Sequence, residues 1–232
     1  MSLWMLPTWV IAALLAIPPL GAFLRLWGPL GGFFASLIGI LFALLVGIAF
    51  AAAAAFATAT ARPWRSAALR GAVFPLVVVA AVFLSRPGNV AINDISTDLG
   101  DRPGFTPGVA AAPGTPSLEA ETLAYYAEVQ REHYPEVRPI RLDDPPAASF
   151  ERVLAVARAM PRWQVTHEDA ELGRIEAIAE SRIFHFVDDV SIRIRPEGTG
   201  SRIDVRSRSR MGQGDLGANA RRIRAFSAAL GR

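Results

Sequence analysis

The amino-terminal third of the chain holds almost no charge, and this feature limits what the chain can be more than any other. Between residues 1 and 84 the charged side chains are Arg25, Arg62, Arg65 and Arg70, and there is no acid. A stretch so poor in charge is solvated by lipid and not by water. We therefore predict a membrane region over residues 1–84, and this excludes a purely soluble cytosolic enzyme.

Three apolar segments in this region predict transmembrane helices at about residues 3–24, 29–58 and 67–84. The first has about the length needed to cross a hydrocarbon core of ~30 Å. The second is long enough to tilt or to project from the bilayer. The third is the weakest prediction, because Arg70 lies inside it and Pro75 interrupts it. A cleaved signal peptide is the alternative for the first segment, but no positively charged region precedes it.

The arginines of this region also predict its orientation. The second loop and the first turn of the third segment hold Arg62, Arg65 and Arg70, whereas the first loop holds Arg25 alone. The positive-inside rule therefore places the second loop in the cytoplasm. We predict a multi-pass protein of the cytoplasmic (inner) membrane with its amino terminus inside. The carboxy-terminal domain is then extracytoplasmic, which in a Gram-negative cell means periplasmic.

The formal charge of +3 hides the division of the chain into two parts. Residues 85–232 hold 20 arginines and 21 acids, so this part has almost no net field that would attract a polyanion. We therefore predict no nucleic-acid partner. The chain has no cysteine and no lysine, which excludes disulfides, thiol nucleophiles and a Walker lysine. No pattern indicates a cofactor or a set of metal ligands.

After the membrane region the pattern changes to that of an α+β protein. Residues 85–116 are rich in proline and glycine and predict an extended linker. Residues 117–232 predict a soluble α+β domain, with an antiparallel sheet of three to five strands flanked by helices. Helices are expected at about 116–133, 146–160 and 216–230. Strands are expected at 163–168, at 173–186 with a bulge, and at 189–195 and 201–208 as a hairpin.

The predicted hairpin separates apolar from charged side chains. Val190, Ile192, Ile194, Ile203 and Val205 alternate toward the core. The opposite face carries Ser191, Arg193, Arg195, Arg202, Asp204, Arg206 and Arg208. This alternation predicts an arginine-rich outer surface. Two interpretations stay open: acids on neighbouring strands neutralise the arginines, or the arginines are free to bind an anionic lipid headgroup or an acidic partner.

A set of polar, charged and glycine residues forms sequence motifs at the two ends of the soluble part. Its members are Asn93, Asp94, Ser96, Asp188, Asp189, Arg193, Asp204, Arg206, Ser207, Ser209, Arg210, Gly212, Asp215, Gly217, Asn219 and Arg222. Together they resemble the domain of unknown function 1499 family over about residues 90–230. The resemblance implies a small exported or membrane-attached domain, and it implies no activity.

The run from Gly212 to Gly217 satisfies the G-x-G-x-x-G pattern of dinucleotide-binding folds. The Rossmann interpretation fails, because only 15 residues follow Gly217 and a second parallel strand needs more. A smaller anion site at the start of a helix remains possible on this pattern. Its residues are Arg206, Arg208, Arg210, Gly212 and Gly214. The alternative is that Asp215 caps the helix and occupies the same amides.

These observations predict a membrane-anchored, non-catalytic envelope protein whose soluble domain binds a partner or an anionic envelope component. The predicted partners are the lipid bilayer and, in addition, either a membrane protein or an anionic lipid headgroup. Two alternatives remain. The chain is an accessory subunit of a membrane complex, or it is an enzyme that uses Asp188, Asp189 and Asp215 on a phosphorylated or carboxylated envelope substrate.

Overall fold

A computed structural model of the chain covers residues 6–60, 68–69, 71–73, 76–77, 80, 90–115 and 118–231. The chain divides into two compact units. The first comprises Met1–Pro87 with Arg182–His185, and the second comprises Gly88–Ser181 with Phe186–Arg232. Each unit has its own cluster of buried apolar residues.

Two helices account for most of the described part of the first unit. Helix α1 spans Leu6–Phe23 and helix α2 spans Pro29–Ala59. Proline suits the first position of α2, because its fixed φ fits a helix and its missing N–H has no helical acceptor there. With 31 residues, α2 is about 46 Å long. Within the described residues, α2 is the one helix whose length and composition allow it to cross a membrane.

The structure therefore supports one of the three predicted membrane helices clearly. The predicted segment 3–24 folds largely as α1, whose apolar run Trp9–Phe23 is shorter than a typical span. The predicted segment 67–84 lies mostly outside the described residues. A third membrane helix remains a prediction.

Helices α1 and α2 contact each other through small residues. Gly39 of α2 lies so close to α1 that a Cβ atom there would be 2.5 Å from the Leu14 carbonyl oxygen. Ala43, one turn further along α2, is fully buried. The large apolar side chains point away from this contact, since Ile38 and Leu45 are 68% and 58% exposed. In this helix pair the small residues are buried and the large apolar residues are exposed, whereas a water-soluble helix pair buries its large apolar residues.

The second unit is an α+β domain, as predicted. Its helices are α3 (Pro107–Ala110), α4 (Ala120–His133), α5 (Pro146–Ala159) and α6 (Ala218–Leu230). Its strands are β1 (Asp94–Ser96), β2 (Ile140–Leu142), β3 (Trp163–Asp169), β4 (Arg174–Glu180), β5 (Val187–Glu197) and β6 (Gly200–Ser209). The strands form one antiparallel sheet in the order β1-β6-β5-β4-β3, and β2 also pairs with β6.

The long hairpin of β5 and β6 lies at the centre of the sheet. Gly198 in its turn has a φ of 62°, a left-handed conformation that glycine adopts without strain. Ile192 pairs with Val205 and Ile194 pairs with Ile203, so the β-branched residues share one face. Helices α5 and α6 cover that face with the apolar residues expected from their helical spacing. The predicted hairpin and its inward face are confirmed.

Two short strands were not predicted. β1 lies inside the segment 85–116, which the sequence predicts as an extended linker, and it pairs with β6. β2 lies in a stretch rich in proline and also pairs with β6. A strand of three residues carries too little alternation to be detected from its own sequence. The sheet therefore has six strands and not three to five.

The long strand predicted at 173–186 is shorter in the structure. β4 ends at Glu180, and a loop follows before β5. The Phe186 N–H donates to the Ser181 hydroxyl at 2.9 Å, and the Ser181 N–H donates to the Phe186 carbonyl at 2.8 Å. The change in apolar alternation near Ser181 therefore marks the end of a strand, and no bulge is needed there.

Candidate functional site

The charged face of the sheet is covered by the chain between β1 and α3. Residues 97–106 lie across it, and we call this segment the strap. The Thr106 N–H and hydroxyl donate to the Glu176 carboxylate at 2.6 and 2.7 Å. The Ser191 hydroxyl donates to the Gly104 carbonyl at 2.7 Å. Glu176 and Ser191 are consequently buried. The strap therefore covers much of the predicted arginine-rich outer surface, although the Arg195 side chain remains 37% exposed.

Arginines and aspartates of the sheet and strap form a layer of ion pairs, which we call the charge layer. Its acids are Asp94, Asp98, Asp101, Asp189 and Asp204, and its arginines are Arg102, Arg193, Arg195, Arg202, Arg206, Arg208 and Arg210. Asp204 is fully buried. Its carboxylate accepts hydrogen bonds at 2.7 to 3.2 Å from the arginines at 193, 195 and 202. Such pairing is what makes a buried carboxylate tolerable.

Asp98 ties the strap to the charge layer. Its carboxylate accepts from Arg202 at 2.7 Å and from Arg195 at 3.2 Å. The N–H groups of Gly100 and Asp101 donate to its other oxygen at 3.1 and 2.9 Å. Burial raises the pKa of Asp98, but these N–H donors and the nearby guanidinium groups outweigh burial, so the pKa lies below its ordinary value. Asp98 is therefore charged at neutral pH, and both of its carboxylate oxygens accept hydrogen bonds.

The three arginines of the predicted anion site all pair with aspartates. Arg206 donates to buried Asp94 through Nε at 2.9 Å and through Nη2 at 2.6 Å. Arg208 and Arg210 both pair with Asp189, at 3.4 and 2.8 Å. The geometry favours the interpretation in which the arginines are neutralised internally. An anion at this position would have to compete with Asp94 and Asp189.

The glycine turn of the same predicted site is closed by a cap on α6. Gly212 and Gly217 have φ values of 85° and 74°, and Gly214 packs against the backbone before β1. The Asp215 carboxylate accepts from the N–H groups of Gly217 and Asn219, each at 2.7 Å. Burial raises the pKa of Asp215, and these two backbone donors oppose the rise. The amides that would hold an anion are thus bound by Asp215, as the capping alternative expects.

Asp188 and Asp189 point to opposite faces of β5, so this pair does not form one site. Asp188 accepts from Arg222 Nη2 on α6 at 2.5 Å. The Ser207 hydroxyl donates to Asn219 Oδ1 at 2.6 Å, and Arg222 donates to the same oxygen at 2.6 Å. These contacts join β5, β6 and α6 on the core face, on the side opposite the charge layer.

The remaining motif residues hold β1 in place. The side-chain amide of Asn219 donates to the Ser209 hydroxyl at 3.0 Å and to the Asn93 carbonyl at 3.2 Å. The Ser96 N–H donates to Gln130 Oε1 at 3.0 Å, and Gln130 Nε2 donates to the Ser96 carbonyl at 2.6 Å. The described residues contain no group of three or more His, Asp and Glu side chains that could hold a metal. The motif is thus built from ion pairs, caps and strand contacts.

A groove of about 410 Å³ opens between α4, the start of the strap and the segment 134–139. We call it the arginine groove, because Arg131, Arg138 and Arg202 line it. Arg131 and Arg138 are exposed, and no carboxylate in the described part of the chain pairs with either. Asp98 also lines the groove, but Arg202 and the charge layer already engage its charge. The groove therefore carries a positive excess.

The environment of Arg102 also shows an excess of positive charge. Burial lowers the pKa of Arg102; Asp94 opposes this, and the positive charges of Arg206 and Arg131 lower it further. Arg131 thus repels a neighbouring guanidinium, and an anion nearby would relieve this repulsion. Burial also raises the pKa of Tyr134, which lines the arginine groove, so its phenol stays protonated and can donate a hydrogen bond at neutral pH.

Arg131 and Arg138 were not found from the sequence. They belong to no motif, and residues 85–180 are acidic on average, with nine arginines and 16 acids. Of the nearby acids, Glu136 pairs with Arg224, whereas Glu128 and Glu132 are exposed on α4 and neither pairs with Arg131 or Arg138. The absence of a partner is a property of the folded chain, and no local pattern reports it.

The α+β domain corresponds to a known family. No curated protein matches the chain. A family model described as "Protein of unknown function (DUF1499)" matches residues 94–230. The match begins with the first residue of β1 and ends with the last residue of α6. Since it covers more than half of the chain and the whole sheet, the chain belongs to this family through its α+β domain.

Proposed function

We propose that this protein is anchored in the cytoplasmic membrane by its amino-terminal helices and that its α+β domain, outside the cytoplasm, binds an anionic group of an envelope component in the arginine groove. One observation carries the proposal. Arg131 and Arg138 are exposed in one groove and lack a carboxylate partner among the described residues. Every arginine of the charge layer, by contrast, has a carboxylate partner.

The packing of α1 and α2 supports the membrane part of the proposal. Their contact uses small residues, and their large apolar side chains face outward, where lipid would solvate them. The arginine distribution supports a multi-pass anchor with its amino terminus in the cytoplasm, since Arg62, Arg65 and Arg70 outnumber Arg25. The α+β domain then lies on the other side of the membrane, which is the periplasm in a Gram-negative envelope.

The chemistry of guanidinium groups supports the ligand class. A guanidinium is planar and offers paired N–H donors that match a phosphate or a carboxylate. Arg138 uses its Nε to donate to the Pro135 carbonyl at 2.7 Å, and its terminal amino groups remain as donors. Tyr134 and Thr97 also line the groove, and both are buried. The groove therefore suits one phosphate or carboxylate group.

The enzymatic alternative has less support. Asp188 and Asp189 are each bound by arginine, and Asp215 caps α6. A general base needs a carboxylate that can reach the substrate proton. Each of these three carboxylates would first have to leave its present partners.

The test uses the full chain in nanodiscs of zwitterionic lipid. Glycerol 3-phosphate is titrated into them, and isothermal calorimetry measures its binding. We expect the double substitution Arg131→Gln and Arg138→Gln to weaken binding roughly tenfold or more, because a charge-assisted hydrogen bond contributes about 1.5–3 kcal/mol. Arg158→Gln is the matched control, since Arg158 pairs with Glu168 on an exposed surface elsewhere. Equal binding by the double variant and the unmodified chain, or no binding by either, would contradict the proposal.

A further inference from the structure

A second groove, of about 510 Å³, adjoins the arginine groove and shares Leu99 and Arg131 with it. We call it the apolar groove, because the strap residue Leu99 and the α4 residues Leu123, Ala124 and Ala127 form most of its wall; the charged residues of its lining are Arg102, Glu128 and Arg131. The small side chains along α4 leave room beside the helix. The two grooves thus meet at Leu99 and Arg131, one on the positive side and the other on the apolar side of these residues.

A buried guanidinium lines the apolar groove as well. The Arg102 side chain is only 8% exposed. Its hydrogen bonds go to the Asp94 carbonyl and carboxylate and to the Leu123 carbonyl, and all are long, at 3.3 to 3.5 Å. Donors at this distance are poorly satisfied. Arg131 and the exposed Glu128 line the same groove, so its two guanidinium groups outnumber its one carboxylate and the groove keeps a positive charge beside Arg131.

We infer that the ligand is an anionic lipid, whose phosphate is bound at the junction of the two grooves and whose acyl chain lies in the apolar groove. This inference rests on the proposed function, because it names the class of the anion that the arginine groove binds. A free phosphate or an acidic polysaccharide would occupy the arginine groove alone and leave Leu99 and Leu123 in contact with water. An anionic lipid complements both the charge and the apolar wall.

The test compares three probes of one headgroup on the full chain in nanodiscs of zwitterionic lipid: glycerol 3-phosphate, dibutanoyl phosphatidate and dihexanoyl phosphatidate. Equilibrium dialysis against empty nanodiscs corrects for partitioning into the bilayer. Each methylene that leaves water tightens binding roughly fourfold. One acyl chain of dihexanoyl phosphatidate has two methylenes more than that of dibutanoyl phosphatidate, so we expect it to bind roughly 15-fold more tightly. Dihexanoyl glycerol lacks the phosphate, so nanodiscs that contain the protein should retain no more of it than empty nanodiscs do.

A substitution in the wall of the apolar groove tests whether the acyl chain of the lipid lies there. Ala124 is exposed on α4, so Ala124→Gln fills the groove at little cost to the helix. We expect it to remove the gain from the longer chain and to leave glycerol 3-phosphate binding unchanged. Ala148→Gln, at an exposed position of α5, is the matched control and should keep the full gain.

The outcomes separate the two proposals. If glycerol 3-phosphate does not bind, or binds equally without Arg131 and Arg138, the proposed function itself fails. If glycerol 3-phosphate binds through these arginines but both phosphatidates bind no more tightly, the lipid inference alone is overturned. A gain from chain length that survives Ala124→Gln overturns it as well, because the acyl chain then lies elsewhere.

Discussion

Asp94 joins β1, β6 and the strap through one buried carboxylate. It lies on β1, it is fully buried, and Arg206 on β6 binds it with two donors. Arg102 of the strap donates to the same carboxylate at 3.5 Å. A carboxylate without water is stable only when such partners surround it. Its loss would leave two guanidinium groups without their partner.

We therefore predict that Asp94→Ala lowers the free energy of unfolding of the domain by about 3 kcal/mol. The measurement is hydrogen exchange of the β5 and β6 amides in the full chain. Asp144→Ala is the control, because Asp144 pairs with Arg152 at 3.1 Å where both side chains are partly exposed. A pair of that kind contributes less than about 1 kcal/mol. Equal losses in the two variants would show that burial of the charge layer adds nothing to stability.

The long elements of this chain could be predicted from sequence, whereas the short ones could not. Helices α5 and α6 and the β5–β6 hairpin carry several periods of apolar residues, and the structure confirms each of them. β1 and the strap have no such period. Contacts with residues about a hundred positions away stabilise them, as the bond between Asp94 and Arg206 does, and such contacts leave no local pattern in the sequence. The arginine groove was missed for the same reason, since the lack of a partner at Arg131 is visible only after folding.

The contact between α1 and α2 gives a prediction at the level of elements. A side chain at Gly39 would collide with the Leu14 carbonyl oxygen, so Gly39→Leu should force α1 away from α2. Overpacking of this kind costs about 1–3 kcal/mol, so exchange of the α1 amides in detergent should be roughly tenfold faster. Gly31→Leu is the matched control, because a Cβ there meets no atom within 4 Å. Equal exchange in both variants would mean that the close approach at Gly39 is not required.

At the scale of the whole molecule, the two units differ in what surrounds their apolar residues. In the α+β domain the large apolar side chains lie between the sheet and two helices. In the helical unit many of them face outward. The first arrangement suits water and the second suits lipid, which is why we propose that one unit anchors the other at a membrane.

The absence of cysteine makes the proposed orientation testable with single reporters. Ala148, exposed on α5, becomes an accessible thiol in Ala148→Cys. We expect a membrane-impermeant maleimide to label this variant in intact spheroplasts. Ser66→Cys, in the loop that the arginines place in the cytoplasm, should be labelled only after lysis. The opposite pattern would reverse the orientation, and labelling of both thiols before lysis would argue against a membrane barrier between them.

The pairing of β1 with β6 has a consequence for biosynthesis. A ribosome delivers the chain from its amino terminus, so Asp94 emerges long before Arg206, to which it must bind. Residues 85–180 hold 16 acids and nine arginines, and they leave the ribosome before the arginine-rich strands β5 and β6. Closing a connection of this length is slow. Translation that stops short of β6 therefore yields a chain without a complete sheet, which quality-control proteases can degrade before it accumulates.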